Sequence, residues 1–483
     1  MVFSSIIFLF LFLPLVLGLY FLTCKKYRNL FLLCASLIFY AWGEKLYLVI
    51  LVISVFINYS CGLLIDRHRG SNRSSFYLTV AIVLNLGILA FFKYSNFVIT
   101  NLNSILAIFG IGQLYLARVH LPMGISFFTF QALSYVIDVY NQKIVAQKNI
   151  INLGAYISLF PQLMAGPIVR FSHIAKEMVN RTVSRTDFAE GVRQFLFGLS
   201  KKMLIANPVA RVADQVFSLP TGDLTTGLAW LGAVCYTLQI YFDFSGYSDM
   251  AIGLARMLGF HYLENFNYPY ISRSIREFWR RWHISLSTWF RDYLYIPLGG
   301  NQQSSIRTYI NLVIVFLLCG LWHGASWNFV IWGLFHGFFL ATERTFVGRG
   351  LNALPQPFKH VYALLIVIVG WVIFRTDSMT HAISYLSAMS GFAHGAGVKY
   401  NVAMFLSDKL KLELGVGIIL STPLYPLVKR IGLSMLETGP VKFRVALNVA
   451  FSVVGFVLLS IIVYASIISL AASAYTPFIY SKF

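Results

Sequence analysis

Apolar stretches recur from one end of this chain to the other, and they constrain its fold more than any other feature. Of its 483 residues, 58% are hydrophobic and only 12% are charged, whereas a soluble globular domain carries about 25% charged residues. The mean hydropathy is +0.71. A helix needs about 20 apolar residues to cross a bilayer. Apolar runs lie near residues 3–23, 29–42, 46–65, 77–92, 94–110, 121–140, 150–169, 188–208, 226–260, 309–342, 361–375, 411–428 and 444–474.

These runs predict an all-α, polytopic membrane protein with a single integral membrane domain over residues 1–483. We expect about ten to twelve transmembrane helices, since some of the runs are long enough to contain two segments. Irregular backbone at membrane depth is stable only where protein or water satisfies its hydrogen bonds. Broken segments therefore predict re-entrant or interfacial helices around a central funnel. Proline, glycine and polar residues interrupt the runs at 121–131, 160–170 and 241–253.

The basic residues indicate how the chain is oriented. Lys and Arg exceed Asp and Glu by 20 and are scattered among the apolar runs, which is typical of basic cytoplasmic loops and not of a nucleic-acid surface. The cluster Lys25, Lys26 and Arg28 follows the first run and predicts an outside N-terminus. Two further crossings lead to a second basic loop at 66–73. A basic cytosolic face also suits anionic lipid or an anionic cosubstrate.

Several chemistries are disfavoured by missing motifs. The five cysteines form no CxxC pair, so neither a disulfide framework nor a metal site is expected. Cys319 lies four residues before His323, which leaves a Cys–His nucleophile pair as an alternative to a small packed side chain. The absence of a P-loop, a GxSxG elbow and an HExxH string counts against ATP-driven transport, soluble-type serine hydrolysis and zinc proteolysis.

The most patterned segment is SIREFWRRWHISLSTWFRDYLY, residues 274–295. Its spacing predicts one amphipathic helix, with Ser274 as the N-cap and Glu277 completing a capping box. The helix either lies in the membrane interface or lines a substrate tunnel, where arginines bind phosphates and His283 points at the reacting groups. The predicted polar face carries Arg276, Arg280, His283, Ser287 and Arg291.

Two further histidines, His323 and His336, each follow an aromatic residue and precede a glycine within apolar sequence. Ionisable groups at membrane depth are functional candidates, and histidine suits proton transfer near neutral pH. A hydrogen-bonded packing role is the alternative for each of them. Asp138, Asp243 and Asp249 also lie in apolar surroundings. They either orient a histidine, or cap helices and pair with arginines.

The strings FWRRWHISLSTWFRDYLYIPLGGN (278–301) and GLWHGASWNFVIWGLFHG (320–337) resemble the signature of the membrane-bound O-acyltransferase superfamily. FKYSNF (92–97) and FPQLMAGPIVR (160–170) are similar to its bacterial polysaccharide-acetylating branch, and the resemblance is strongest over 1–375. It implies tilted helices around a thin centre, with funnels from both faces. The implied function is O-acetylation of an exported, alginate-like polysaccharide. Cellulose, peptidoglycan, and a proton-coupled transporter or flippase remain alternatives.

The resemblance also implies roles for single residues. His323 matches the catalytic histidine of the family and would act as a general base on an acceptor hydroxyl. His283 matches a second functional histidine of the bacterial branch, and the role of His336 stays open. Donors to a developing oxyanion would come from Trp322, Trp327 and Asn328. Donor phosphates would be bound by Arg276, Arg280 and Arg281.

The remaining expectations concern what the protein works with and where. Acetyl-CoA is the expected acyl donor, with no bound cofactor. The expected partners are membrane lipid and a periplasmic acetyltransferase protein, and no nucleic acid. The expected location is the bacterial inner membrane, which the chain would cross several times.

Overall fold

The protein is helical throughout the residues that its computed structural model describes, which are 2–393, 395, 397, 399–438 and 441–472. No β-strand occurs within these ranges, and the all-α prediction is confirmed. The helices are α1 (Leu13–Leu22), α2 (Arg28–Glu44), α3 (Leu48–Arg67), α4 (Asn72–Ile108), α5 (Ile125–Tyr140), α6 (Ile150–Ser158), α7 (Phe160–Leu163), α8 (Phe171–Val179), α9 (Arg185–Ser200), α10 (Asn207–Phe217), α11 (Thr226–Met257), α12 (Ile275–Arg281), α13 (Ile284–Phe290), α14 (Ser305–His323), α15 (Trp327–Thr342), α16 (Phe346–Ala353), α17 (Gln356–Arg375), α18 (Met379–Met389), α19 (Val402–Phe405), α20 (Asp408–Leu420), α21 (Leu424–Thr438) and α22 (Val441–Ala472).

Several of these helices are long and apolar enough to cross a membrane. Within the described ranges there are five, or six if the bent pair of α20 and α21 counts as one span. Shorter apolar helices occur at Phe8–Leu22, Ile125–Tyr140 and Trp327–Thr342. The chain is therefore a polytopic membrane protein, while the total of ten to twelve spans stays a prediction. The five are Lys25–Arg67, which contains α2 and α3, Asn72–Ile108, Ser305–His323, Gln356–Arg375 and Val449–Ala472.

Helix α11 lies at the centre and is buried on almost every face. Its carboxylates are tolerated there because each has a lysine partner. Lys202 pairs with Asp243, and Lys201 lies 2.6 Å from Asp249. Both lysines belong to a π-helical turn, Lys201–Ala206, that directly follows α9.

The third aspartate, Asp138, is buried. It lies 3.4 Å from Lys143 and accepts a hydrogen bond from Ser172 at 3.1 Å. All three aspartates thus form ion pairs, in line with the predicted alternative in which they pair with basic residues and do not orient a histidine. Their partners are lysines where arginines were expected.

Glycines let α9 and α11 pack with their backbones in contact. Gly191 and Gly198 of α9 face Gly253 and Gly246 of α11. A Cβ atom at Gly198 would lie 2.5 Å from the carbonyl oxygen of Gly246, and one at Gly253 would lie 2.5 Å from that of Gly191. Small residues are the usual means by which membrane helices approach so closely. This contact fixes the centre of the bundle.

We predict that Gly198→Ala destabilises the protein, because its methyl group collides with backbone that cannot move aside. Overpacking of this kind costs about 1–3 kcal/mol. The matched control is Gly87→Ala in α4, where nothing lies within 4 Å of an added Cβ. Thermal unfolding of the detergent-purified proteins measures the difference. Equal unfolding temperatures for the two variants would contradict the close packing of α9 on α11.

Candidate active site

The segment 274–295 is broken in the middle, so the prediction of one continuous helix is wrong. Its start is as predicted, because the Ser274 hydroxyl accepts a hydrogen bond from the backbone N–H of Glu277 at 3.0 Å. Helix α12 then ends at Arg281, and α13 begins at Ile284. His283 between them has φ 44°, in the left-handed region. Side chains other than glycine hold that conformation only when their surroundings impose it.

Asn265 imposes this break. Its carbonyl oxygen accepts from the N–H of Ile284 at 2.9 Å. Its side-chain oxygen accepts from the N–H and the hydroxyl of Ser285 at 3.1 and 2.9 Å. The amide of Asn265 in turn donates to Ser248 of α11 at 3.1 Å. The turn at His283 is therefore tied to the central helix.

The break separates His283 from the arginines. Arg276 and Arg280 are exposed, whereas His283 is fully buried. Its ring lies 4.6 Å from that of Phe244 and 6.1 Å from that of Trp322. Neither ring nitrogen has a hydrogen-bond partner among the described residues. His283 therefore does not share the arginine face that helical spacing predicted for it.

His323 is the last residue of α14 and is buried. Its ring makes edge-to-face contacts with Trp322 and Trp332, both at 4.9 Å, and with Phe374 at 5.3 Å. Trp322 thus lies between His323 and His283. Its indole Nε1 is buried and has no hydrogen-bond partner in the described part of the chain. The residue next to His323, the candidate general base, therefore carries an indole N–H that is available to donate a hydrogen bond.

His336 extends this row on the other side. It is fully buried, and its ring lies 5.1 Å from both Trp332 and Trp279. Both of its ring nitrogens lack a hydrogen-bond partner within the described ranges. The three histidines are therefore joined through two indoles, Trp322 and Trp332. Sequence spacing could not reveal this row, because it crosses three segments of the chain.

Close packing of α14 on α15 brings the row together. A Cβ atom at Gly320 would lie 2.2 Å from the carbonyl oxygen of Phe329, and one at Gly333 would lie 2.2 Å from that of Phe316. The glycine after His323 is equally constrained, since a Cβ at Gly324 would lie 2.2 Å from the Phe329 ring. These glycines allow the two helices, and the rings between them, to approach closely.

Sequence reasoning missed Lys93, which lies in the middle of α4 and is buried. Its ammonium group donates to the backbone carbonyl of Trp322 and lies 3.4 Å from the Ser126 hydroxyl. The hydroxyl of the next residue, Tyr94, donates to the carbonyl of Leu321 at 2.6 Å. A lysine inside an apolar run was the available signal, because ionisable groups at membrane depth are expensive.

A cavity of about 760 Å³ reaches His323. We call residues 111–122, which have no regular secondary structure, the strap, and one wall of the cavity is formed by its residues 118–122. Two asparagines of α4 hold the strap, and each is hydrogen-bonded to both backbone polar groups of one residue. The Asn96 side chain accepts from the N–H of Val119 at 3.1 Å and donates to its C=O at 2.8 Å, and the Asn103 side chain does the same with Leu114 at 2.8 and 3.0 Å. The polar lining of this cavity includes Lys93, Asn96, Arg118, His120, Ser126 and His323.

A second cavity, of about 690 Å³, is lined by the arginines. It meets α14 at Cys319, one helical turn before His323. The buried Cys319 thus faces the arginine cavity, whereas His323 faces the other one. The cationic residues that line the arginine cavity are Arg276, Arg280, Arg291 and Arg344.

Three candidate residues line neither cavity. Arg281 pairs with Glu277 at 2.9 Å and donates to the carbonyl of Asn267. Trp327 is 57% exposed, and its indole N–H donates to Asn101 at 2.9 Å.

The third of these residues is Asn328, whose amide donates to the carbonyl of Thr376 at 2.6 Å. All three side chains hold structural contacts outside the two cavities. Their predicted roles in catalysis and donor binding stay untested, and we do not carry them into a mechanism.

Comparison with known proteins agrees with this architecture. Residues 36–381 match the sequence model of the membrane-bound O-acyltransferase family. The chain is 43% identical to a probable alginate O-acetylase of Azotobacter vinelandii, with all of both chains aligned. It is 50% identical to the Pseudomonas aeruginosa protein of the same name over 81% of this chain and 75% of that one. A peptidoglycan O-acetyltransferase of Helicobacter pylori is 35% identical over 81% of this chain and 80% of its own length.

The match to the family extends over more than half of the chain, and it includes α14, where His323 ends the helix between the two cavities. The full-length identity to the Azotobacter protein adds the regions on either side. This protein belongs to the membrane-bound O-acyltransferase family.

Proposed function

We propose that this O-acyltransferase moves acetyl groups from cytosolic acetyl-CoA across the bacterial inner membrane for the O-acetylation of alginate. The observation that carries the proposal is the end of α14. There, His323 and Trp322 line one cavity, and the arginine-lined cavity reaches the same helix one turn earlier. The indole N–H of Trp322 is buried and has no hydrogen-bond partner among the described residues.

The charge pattern supports opposite exits for the two cavities. If the basic loop at 25–28 is cytoplasmic, two crossings place the start of α4 in the cytoplasm and the strap on the periplasmic side. The His323 cavity, walled by the strap, then opens to the periplasm. Helix α15 leads from the site back to Thr342, so Arg344 and the arginine cavity lie on the cytosolic side.

The reaction follows from these positions. An acceptor hydroxyl attacks the thioester carbonyl of the donor, and a ring nitrogen of His323 accepts the hydroxyl proton. General-base assistance of this kind typically contributes about 10²–10⁴-fold. The Trp322 indole donates a hydrogen bond to the oxyanion that develops on the carbonyl oxygen. The C–S bond then breaks, and the thiolate takes the proton from the imidazolium, which regenerates neutral His323.

The donor side relies on the arginines that line the second cavity. Arg276 and Arg280 would bind the phosphates of acetyl-CoA through charge-assisted hydrogen bonds. The acceptor side would involve a periplasmic acetyltransferase partner that takes the acetyl group to the polymer. Alginate is favoured as the acceptor polymer because the relatives that are 43% and 50% identical are named as probable alginate O-acetylases. Peptidoglycan is the second candidate, because a relative with that activity is 35% identical.

We predict that His323→Ala abolishes acetylation, because it removes the group proposed to accept the hydroxyl proton. The variant is expressed in alginate-producing cells that lack the wild-type protein, and acetyl esters per uronate are counted by proton NMR. A reduction of about 100-fold or more is expected. His381→Ala is the control, since His381 lies in α18 outside both cavities. Normal acetylation by a stably inserted His323→Ala protein would refute the proposed base.

We predict that Arg276→Gln and Arg280→Gln each raise the KM for acetyl-CoA about tenfold or more, because each removes a charge-assisted hydrogen bond to phosphate. The measurement is CoA release by purified protein. Arg281→Gln is the matched control, because its guanidinium pairs with Glu277 outside the cavity. A proton-coupled transporter predicts that even the wild-type protein leaves acetyl-CoA intact.

The acceptor polymer is tested by deleting the protein from its own cell and measuring ester-linked acetate on both polymers. Loss from alginate with unchanged peptidoglycan is the expected result. Loss from peptidoglycan alone would support the second candidate, which rests on the 35% identical relative.

A further inference from the structure

We propose that Lys93 and Tyr94, neighbours on α4, are positioning residues of the acyl-transfer site. They hold the last turn of α14 and thereby set where Trp322 and His323 lie. The relevance of this clamp to catalysis rests on the proposed role of His323. The clamp itself is a structural arrangement that can be tested without it.

The clamp answers a specific need of α14. The last four carbonyls of any helix have no partner within that helix, and unsatisfied carbonyls are costly at membrane depth. The Gly320 carbonyl is satisfied by the N–H of Gly324 at 3.3 Å. The next two carbonyls are satisfied from α4: Tyr94 donates to that of Leu321 at 2.6 Å, and Lys93 to that of Trp322.

A lysine is well suited to this place. The C-terminal end of a helix carries a partial negative charge, which a cation stabilises. The Lys93 ammonium also lies 5.8 Å from the centre of the Trp322 ring and 3.4 Å from the hydroxyl of Ser126 in α5. Helices α4, α5 and α14 therefore meet at one charged group. No carboxylate forms an ion pair with Lys93 among the described residues, so this helix end is its main electrostatic partner.

The clamp acts on both groups that the reaction uses. Lys93 bonds the backbone of Trp322, whose indole is the candidate oxyanion donor, and the peptide bond to His323 follows directly. The His323 ring packs edge-to-face on Trp332 and Phe374 at 4.9 and 5.3 Å, so its place in the site depends on where the backbone of the last turn of α14 lies. Since a displacement of about 1 Å can cost roughly 10²-fold in rate, release of the helix end should lower kcat.

The test compares Tyr94→Phe and Lys93→Met with a matched control, Tyr59→Phe. Tyr59 also donates to a backbone carbonyl, that of Lys148 at 2.9 Å, but lies outside both cavities. We expect kcat to fall about tenfold for Tyr94→Phe and about 100-fold for Lys93→Met. The KM for acetyl-CoA should stay unchanged, because the arginine cavity is separate. Lys93→Arg, which keeps the charge, should retain more activity than Lys93→Met.

Rates are expressed per mole of folded protein, as measured by gel filtration and thermal unfolding. A residue that matters only for folding would lower the folded fraction and leave kcat of that fraction intact. If Lys93→Met does not fold, the kcat of Tyr94→Phe tests the proposal by itself. This substitution removes a single oxygen atom and is therefore the milder change. A kcat within threefold of wild type for Tyr94→Phe would overturn the proposal.

A second measurement separates this proposal from the proposed function. Diethyl pyrocarbonate modifies neutral imidazole, and mass spectrometry gives the modification rate of His323 itself. Tyr94→Phe and Lys93→Met should change that rate severalfold, while Tyr59→Phe should not. This holds even if His323→Ala keeps its activity, in which case the proposed base fails and the clamp stands. An unchanged labelling rate in both α4 variants would overturn the clamp.

Discussion

A helix that ends inside a bilayer must find partners for its last carbonyls within the protein, and the site of this enzyme depends on that constraint. Helix α14 ends at His323, beside a cavity and not in bulk solvent. Its final turn is held by two side chains of α4, and its packing on α15 relies on Gly320 and Gly333. The hydrogen bonds that satisfy the end of this helix are therefore made to the two residues that directly precede His323.

Charged groups in the core of the bundle likewise have partners within the protein. Lysines from one π-helical turn pair with the carboxylates on α11: Lys201 pairs with Asp249, both partly exposed, and Lys202 pairs with Asp243, both buried. Breaking one partner of such a pair is costly, typically about 3–5 kcal/mol. The central helix is therefore held firmly, and the broken segment at His283 is anchored to it through Asn265 and Ser248.

The sequence predicted the all-α membrane fold well, because long apolar runs are a strong signal. Of the residues it predicted for the site, His323, Trp322, Arg276 and Arg280 line the two cavities, while Arg281 does not, and their roles stay predictions. It failed where tertiary contacts override local pattern. The spacing in 274–295 suits a helix, and only Asn265, a residue outside that segment, shows why the chain turns at His283. Trp327 and Asn328 follow His323 closely in sequence, yet their side chains donate to Asn101 and Thr376 and line neither cavity.

The strap has a consequence for how members of such a family can diverge. Asn96 and Asn103 are each hydrogen-bonded to both backbone polar groups of one strap residue, so these contacts do not depend on the side chains of the strap. Tyr115, between the two anchor points, is 95% exposed. The outer surface of the cavity mouth can therefore change residue by residue without moving the inner wall. In this fold, the residues exposed on the strap can therefore change during evolution independently of the residues around His323 inside the cavity.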